Sequence, residues 1–141
     1  MYLLDTNVVS ELRKLPSGRA DPNVVAWNAH SIPEATFISA ITVMELELGV
    51  MRLERRDPIQ AVQLRDWFEG VLLRRFHDRI LPIDAAIARR CASLHVPDPR
   101  SEHDAMIGAT ALVHNLIVVT RNTADFAPMG VRLIDPWQAQ A

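Results

Sequence analysis

Tyr2-Leu-Leu-Asp-Thr-Asn-Val-Val-Ser-Glu-Leu12 decides the fold: an apolar run, a polar break and an apolar-periodic segment follow one another with nothing between. Tyr2 to Leu4 is short and apolar, as a buried strand is, and the pattern from about Val8 to Arg13 is that of a short helix. A strand that passes straight into a helix is the opening unit of an α/β sheet. Asp5, Thr6 and Asn7 fill the break.

Outward from this unit the alternation repeats. Pro22 suits a first helical turn and opens a helix to about Ala29. Thr36 to Ser39 is strand-like, and Ser39 can cap a helix from Ala40 to about Leu53. A long helix is expected from about Pro58 to Arg75, a strand over Ile80 to Ile83, and a helix capped by Asp84 and running to about His95. Ser101 begins another helix, which ends near His114 and Asn115. Leu116 to Val119 and Val131 to Ile134 are β-rich. This order implies an α/β fold of three layers, helices covering both faces of a mostly parallel sheet of four or five strands. With no repeat, low-complexity tract or linker, residues 1–141 read as one domain. Lys14 to Asn23 and Pro97 to His103 are breaker-rich loops within it.

Composition narrows the classes. At 141 residues and 49% apolar, the chain can bury a core and is not disordered. No apolar run approaches the ~18 residues of a membrane span. The N-terminus lacks the basic leader and apolar stretch of a signal peptide. Cys91 is the only cysteine, which excludes an internal disulfide and fits a reducing cytosol. A cytoplasmic protein with no membrane role is expected. A net charge of −2 excludes nucleic-acid binding through bulk charge alone. Of the 15 basic residues all but Lys14 are arginine, whose planar fork suits phosphate and carboxylate. Arg52, Arg55 and Arg56, then Arg74, Arg75 and Arg79, then Arg89 and Arg90, form clusters. Most are expected on solvated helix faces, paired with Glu54, Asp57, Glu69 and Asp78, while one cluster could still track an RNA backbone.

Ligands of open parallel sheets sit at the carboxyl ends of the strands. Asp5, Thr6 and Asn7 lie just past one such end. Thr120, Arg121 and Asn122 lie past another, with Asp125 close behind, and Asp104 occupies the first turn of its helix. Glu45 stands one turn from Ile41, Thr42, Leu48 and Gly49, on a largely apolar stripe where a carboxylate is costly without compensation. Gly49 would leave room there for a ligand. Glu47 is turned about 200° away and reads as structural or exposed.

Each acidic residue also has an ordinary role open to it. Asp5-Thr-Asn can be a capping turn, Ser101 and Asp104 fit a capping box, and Asn122 and Asp125 suit a turn. Glu45 can pair with Arg52. Jointly the balance reverses, because carboxylates gathered at one rim repel by about 4 kcal/mol per close pair at an effective dielectric of about 20. A divalent cation removes that cost, and oxygen-only ligands favour Mg²⁺ or Mn²⁺ over zinc. His103, beside Asp104, could be a ligand or a proton carrier, but reads better as an exposed loop histidine.

Leu3-Leu-Asp-Thr-Asn-Val-Val-Ser-Glu11, Ile38-Ser-Ala-Ile-Thr-Val-Met-Glu-Leu-Glu-Leu-Gly49, His103-Asp-Ala-Met-Ile-Gly-Ala-Thr-Ala111 and Val119-Thr-Arg-Asn-Thr-Ala-Asp-Phe126 resemble, in order and spacing, the four motif blocks of PIN-domain ribonucleases, in particular VapC-type toxins of type II toxin–antitoxin systems. The resemblance implies that Asp5, Glu45 and Asp104 bind metal and serve catalysis. It implies a fourth acidic position at Asp125, a Thr120 hydroxyl that bonds the acidic cluster, and similar support from Asn7 and Asn122. The implied chemistry is Mg²⁺- or Mn²⁺-dependent hydrolysis of RNA, leaving 5′-phosphate and 3′-hydroxyl ends. Implied partners are the RNA substrate, a second copy in a homodimer, and a small antitoxin whose tail covers the acidic site. Promoter DNA would be contacted through the antitoxin. Trp67, Phe68, Val71 and Leu72 could line a partner groove or belong to the core.

Three other readings remain open. A non-catalytic RNA- or protein-binding module could use the same fold. A phosphoaspartyl enzyme of the haloacid dehalogenase type wants an aspartate where Asn7 stands. A receiver domain wants an early acidic pair and a late lysine, and the one lysine is Lys14.

Overall fold

In the computed structural model, which describes residues 1–140, five short parallel strands form one sheet in the order β3-β2-β1-β4-β5. They are β1 (Tyr2–Leu4), β2 (Thr36–Ser39), β3 (Ile80–Leu81), β4 (Ile117–Val119) and β5 (Leu133–Ile134). β1 is central, with Tyr2 opposite Thr36 on one side and Leu4 opposite Val119 on the other. The chain adds β2 and β3 on one side of β1, then crosses to add β4 and β5 on the other. The strand order therefore reverses between β1 and β4, and the crevice past their carboxyl ends is where such sheets bind ligands. Asp5 and Thr120 follow those two ends directly.

The pleat sorts the apolar residues into two cores. Leu4, Ile38 and Val119 face Val8 and Val9 of α1 (Thr6–Leu12), Trp27 of α2 (Pro22–His30) and Val50 of α3 (Ala40–Arg56). Leu3 and Val118 point the other way, onto Ile107 and Ala111 of α7 (Glu102–His114) and Phe126 of α8 (Thr123–Phe126). α6 (Ala85–Leu94) backs α7 through Ile87, Cys91, Ala105 and Ala109. Each large apolar side chain so buried contributes roughly 1.5–3 kcal/mol. Gly108 permits the close approach of α7, since a Cβ there would lie 2.5 Å from the Met129 Sδ. The result is the expected three-layer α/β/α arrangement.

Most helix starts follow their caps. Ser39 accepts the Ile41 amide at 3.0 Å and Asp84 the Ile87 amide at 2.9 Å. Asn115, at φ 55°, ends α7. The segment from Pro58 to Arg75 departs from expectation. It is helical throughout but not regular: α4 (Pro58–Trp67) passes into a π-helical turn, Phe68–Leu72, before α5 (Leu73–Arg75). The wider turn rephases the apolar stripe, so that Phe68, Leu72 and Phe76 all reach the core while Val71 remains exposed.

The expected arginine pairing is also corrected. Glu54 and Glu69 bind Arg65, which also holds Glu47, so one guanidinium on α4 ties together three carboxylates. Asp57 caps α4 instead of pairing, accepting the Gln60 amide at 3.2 Å. Asp78 does approach Arg79, at 3.6 Å. The clusters Arg52, Arg55, Arg56 and Arg89, Arg90 enter no ion pair among the described residues. Such partners are chosen by the approach of separate helices, which residue spacing does not encode. No helix among the described residues is long and apolar enough to cross a membrane.

Candidate active site

Asp5 is both a cap and the centre of the site. Its Oδ1 accepts the Thr6 amide at 2.8 Å and starts α1 two residues earlier than the sequence pattern suggests. Its Oδ2 accepts the Thr120 hydroxyl at 2.7 Å and the Asn7 side-chain amide at 3.4 Å. Asp5 as a whole is 4% exposed. Thr120 Oγ1 in turn accepts the backbone amide of Asn122 at 2.9 Å and the Asn7 amide at 3.3 Å. Asn122 thus supports the site through its main chain, and its side chain makes no hydrogen bond among the described residues. Asn7 Oδ1 accepts the Arg121 amide at 3.4 Å, closing a small network across the ends of β1 and β4.

Glu45 reaches this network through Thr6, whose hydroxyl lies 3.0 Å from both Glu45 Oε1 and Thr42 Oγ1. The pairing of Glu45 with Arg52 does not form. Its nearest cationic partner is His103, with Nδ1 3.7 Å from Oε2. His103 is accordingly not a loop histidine: it lies in the first turn of α7 and faces α3. Neither Thr6 nor His103 stood out in the sequence as a link to Glu45, because only the packing of α3 against α1 and α7 brings them there. Glu47 binds Arg65, in keeping with a structural role.

Asp104 is not used as a cap. The Ser101 side chain makes no capping bond and Asp104 accepts no hydrogen bond among the described residues, so the expected capping box is absent. Asp104 and Asp125 instead line one hollow of 270 Å³ with Arg100 and Ser101. Asp125 sits in the first turn of α8 and is exposed.

The four carboxylates feel one another. Burial raises the pKa of Asp5 most strongly; the Thr120 and Thr6 bonds oppose this, and Glu45 and Asp125 add to it. Asp104 is pushed up to about 6, first by burial and then by Asp5, Asp125 and Glu45, with His103 opposing. Among the described residues none of the four has an arginine or lysine within ion-pair distance. Nor do any three acidic, histidine or cysteine side chains stand ready as a closed metal cage. They form an open rim of oxygen donors whose chemistry suits a hard divalent cation.

This is a three-layer α/β/α domain with an acidic rim at its strand ends, and the chain matches the PIN domain over residues 2–130; it belongs to that family. It is 36% identical over 143 residues to VapC ribonuclease Y4jK of Sinorhizobium fredii, covering 98% of this chain and 99% of that one. It is 40% identical over 144 residues to toxin FitB of Neisseria gonorrhoeae, covering 97% and 99%. The crystal structure of FitAcB from Neisseria gonorrhoeae superposes with a TM-score of 0.87 at 37% identity, over 97% of this chain and 99% of that one. The structure of FitAB bound to the IR36 DNA fragment gives 0.89 at 34% identity, over 100% and 99%. The resemblance read from the four motif blocks is borne out, and so is the fold.

Proposed function

We propose that the protein is a Mg²⁺- or Mn²⁺-dependent endoribonuclease and the toxin of a toxin–antitoxin pair. The observation that carries this reading is the buried Asp5, fixed by Thr120, in the field of Glu45, Asp104 and Asp125, with no arginine or lysine within ion-pair distance of the four among the described residues. A divalent cation, when bound, supplies positive charge to the scissile phosphate and acidifies a water. Asp5, Glu45 and Asp104 would hold it, with Asp125 at the outer edge. Thr120, Asn7 and the Asn122 amide keep Asp5 oriented, as supports of metal ligands do. Asp104, which accepts no hydrogen bond among the described residues, is the carboxylate most free to orient the attacking water or take its proton.

The relatives named as a ribonuclease and a toxin support the nuclease and toxin roles. FitAB on DNA supports a small antitoxin as partner and DNA contact through it. A homodimer and a cytoplasmic location complete the proposal. The experiment is to incubate the purified protein with bacterial RNA and Mg²⁺ or Mn²⁺ and to map the ends. Cleavage with 5′-phosphate and 3′-hydroxyl ends, abolished by chelation and by Asp5→Asn, supports the reading. A 2′,3′-cyclic phosphate, or equal toxicity of wild type and Asp104→Asn on expression in a bacterium, overturns it.

A further inference from the structure

A groove of 320 Å³ leaves the acidic rim between α1 and α3, with Thr6, Ser10 and Arg13 on one wall and Glu45, Gly49 and Trp67 on the other. A second hollow, of 720 Å³, shares Arg13 and Trp67 with it and adds Lys14, Arg19 and Gln63. Gly49 lies inside α3, where glycine costs about 1 kcal/mol relative to alanine. No packing accounts for it, because a Cβ at Gly49 would meet no atom within 4 Å. What its missing side chain leaves clear is the groove floor one turn from Glu45.

The charge along this path changes sign. It begins at Glu45 and ends at Arg13 and Arg19, which enter no ion pair and donate no side-chain hydrogen bond among the described residues. The Arg13 guanidinium lies over the Trp67 ring, 6.0 Å from its centroid, which holds it in place without neutralising it. A basic peptide drawn to the carboxylates would be repelled along the rest of the path. An RNA backbone has the opposite preference: its phosphates match Arg13 and Arg19, and at the rim they match a bound cation.

We propose that this groove seats the RNA strand on one side of the scissile bond, with Arg13 and Arg19 taking backbone phosphates and Gly49 keeping the floor open. The inference rests on the nuclease reading. Arg13 and Arg19 are substrate-positioning residues, and Gly49 is a steric one.

The test uses the full chain with Mn²⁺ on total bacterial RNA, then on a short RNA carrying the mapped cut. Arg13→Ala and Gly49→Leu are each expected to raise KM about tenfold with kcat within about twofold, the loss of one charged phosphate contact or its steric equivalent. Arg13→Ala should also reduce the salt slope of binding, measured on the Asp104→Asn protein, by about 0.7. Gly49→Leu should melt no lower than wild type. Arg90→Ala, which removes an equal charge from α6, should leave KM unchanged. If no RNA is cut by the wild type, the nuclease reading fails and this inference with it. If the wild type cuts but Arg13→Ala and Gly49→Leu keep a normal KM, the groove inference alone fails. Loss of antitoxin neutralisation in Gly49→Leu with KM unchanged would overturn it in favour of a protein occupant.

Discussion

The Thr120 hydroxyl donates to Asp5 Oδ2 at 2.7 Å, joining the ends of two adjacent parallel strands across most of the chain's length. Thr120 is wholly buried, so neither group can turn to water instead. Thr120→Val keeps the shape and removes the bond. It is expected to cost about 1–3 kcal/mol of stability, because Asp5 loses a partner in a buried place. Mn²⁺ affinity should fall by about 10- to 100-fold, as for other lost supports of metal ligands. Denaturant unfolding and calorimetric titration check the two effects separately.

Asp104 makes stability and metal binding depend on pH in opposite directions. Its folded pKa of about 6 lies above the ordinary 3.8, so between those values the folded protein binds more protons than the unfolded chain. Stability of the metal-free protein contributed by this group is therefore greatest at low pH and falls as pH rises through that window. Metal binding runs the other way, since protons compete for the carboxylate. Thermal melts from pH 4 to 8 should show stabilisation by Mn²⁺ fading below about pH 6. Equal stabilisation at pH 5 and pH 7 would contradict the assignment.

Asp104→Asn should separate function from stability. The side chain accepts no hydrogen bond among the described residues, so an amide costs no partner there, and one member of a mutually repelling set becomes neutral. The variant is expected to lose cleavage while the metal-free protein gains up to about 1 kcal/mol, the partial exposure of the site screening most of the repulsion. Chemical denaturation in the presence of a chelator measures the gain.

Asn7 and Asp5 bear on the phosphoaspartyl alternative. Both Asp5 oxygens are engaged, Oδ1 by the Thr6 amide and Oδ2 by Thr120 and Asn7. Acetyl phosphate is therefore expected to leave Asp5 unlabelled by mass spectrometry. Asn7→Asp would replace a donor to Asp5 with a like charge and is expected to destabilise the protein by about 1–3 kcal/mol rather than create a phosphatase. Stable phosphorylation of Asp5 would reverse this view.

Much of this was legible in the residues. The strand-to-helix break at Asp5, the caps at Ser39 and Asp84 and the Asn115 stop are local signals, and the structure uses each of them. Glu45 on an apolar stripe was informative for the same reason: a costly placement implies a compensating neighbour. The π turn at Phe68–Leu72 was not legible, since nothing in the pattern marks where a helix must widen to rephase its buried face. The capping box offered to Ser101 and Asp104 failed because it assumed that near neighbours in the chain would be partners; His103 is exposed as expected but lies in the helix rather than a loop.

Local chemistry settles where strands stop, where helices start and which faces are apolar, because those depend on residues within a turn of one another. That much determined the α/β order and marked Asp5, Glu45, Asp104 and Asp125 as candidates. Which of them face one another, that Thr6 links Asp5 to Glu45, that Arg65 rather than the arginine clusters gathers Glu47, Glu54 and Glu69, and that Arg13 and Arg19 line a groove with no ion pair among the described residues were decided by packing alone. These contacts join separate elements whose approach is set by the two buried cores, and residue spacing holds no record of it.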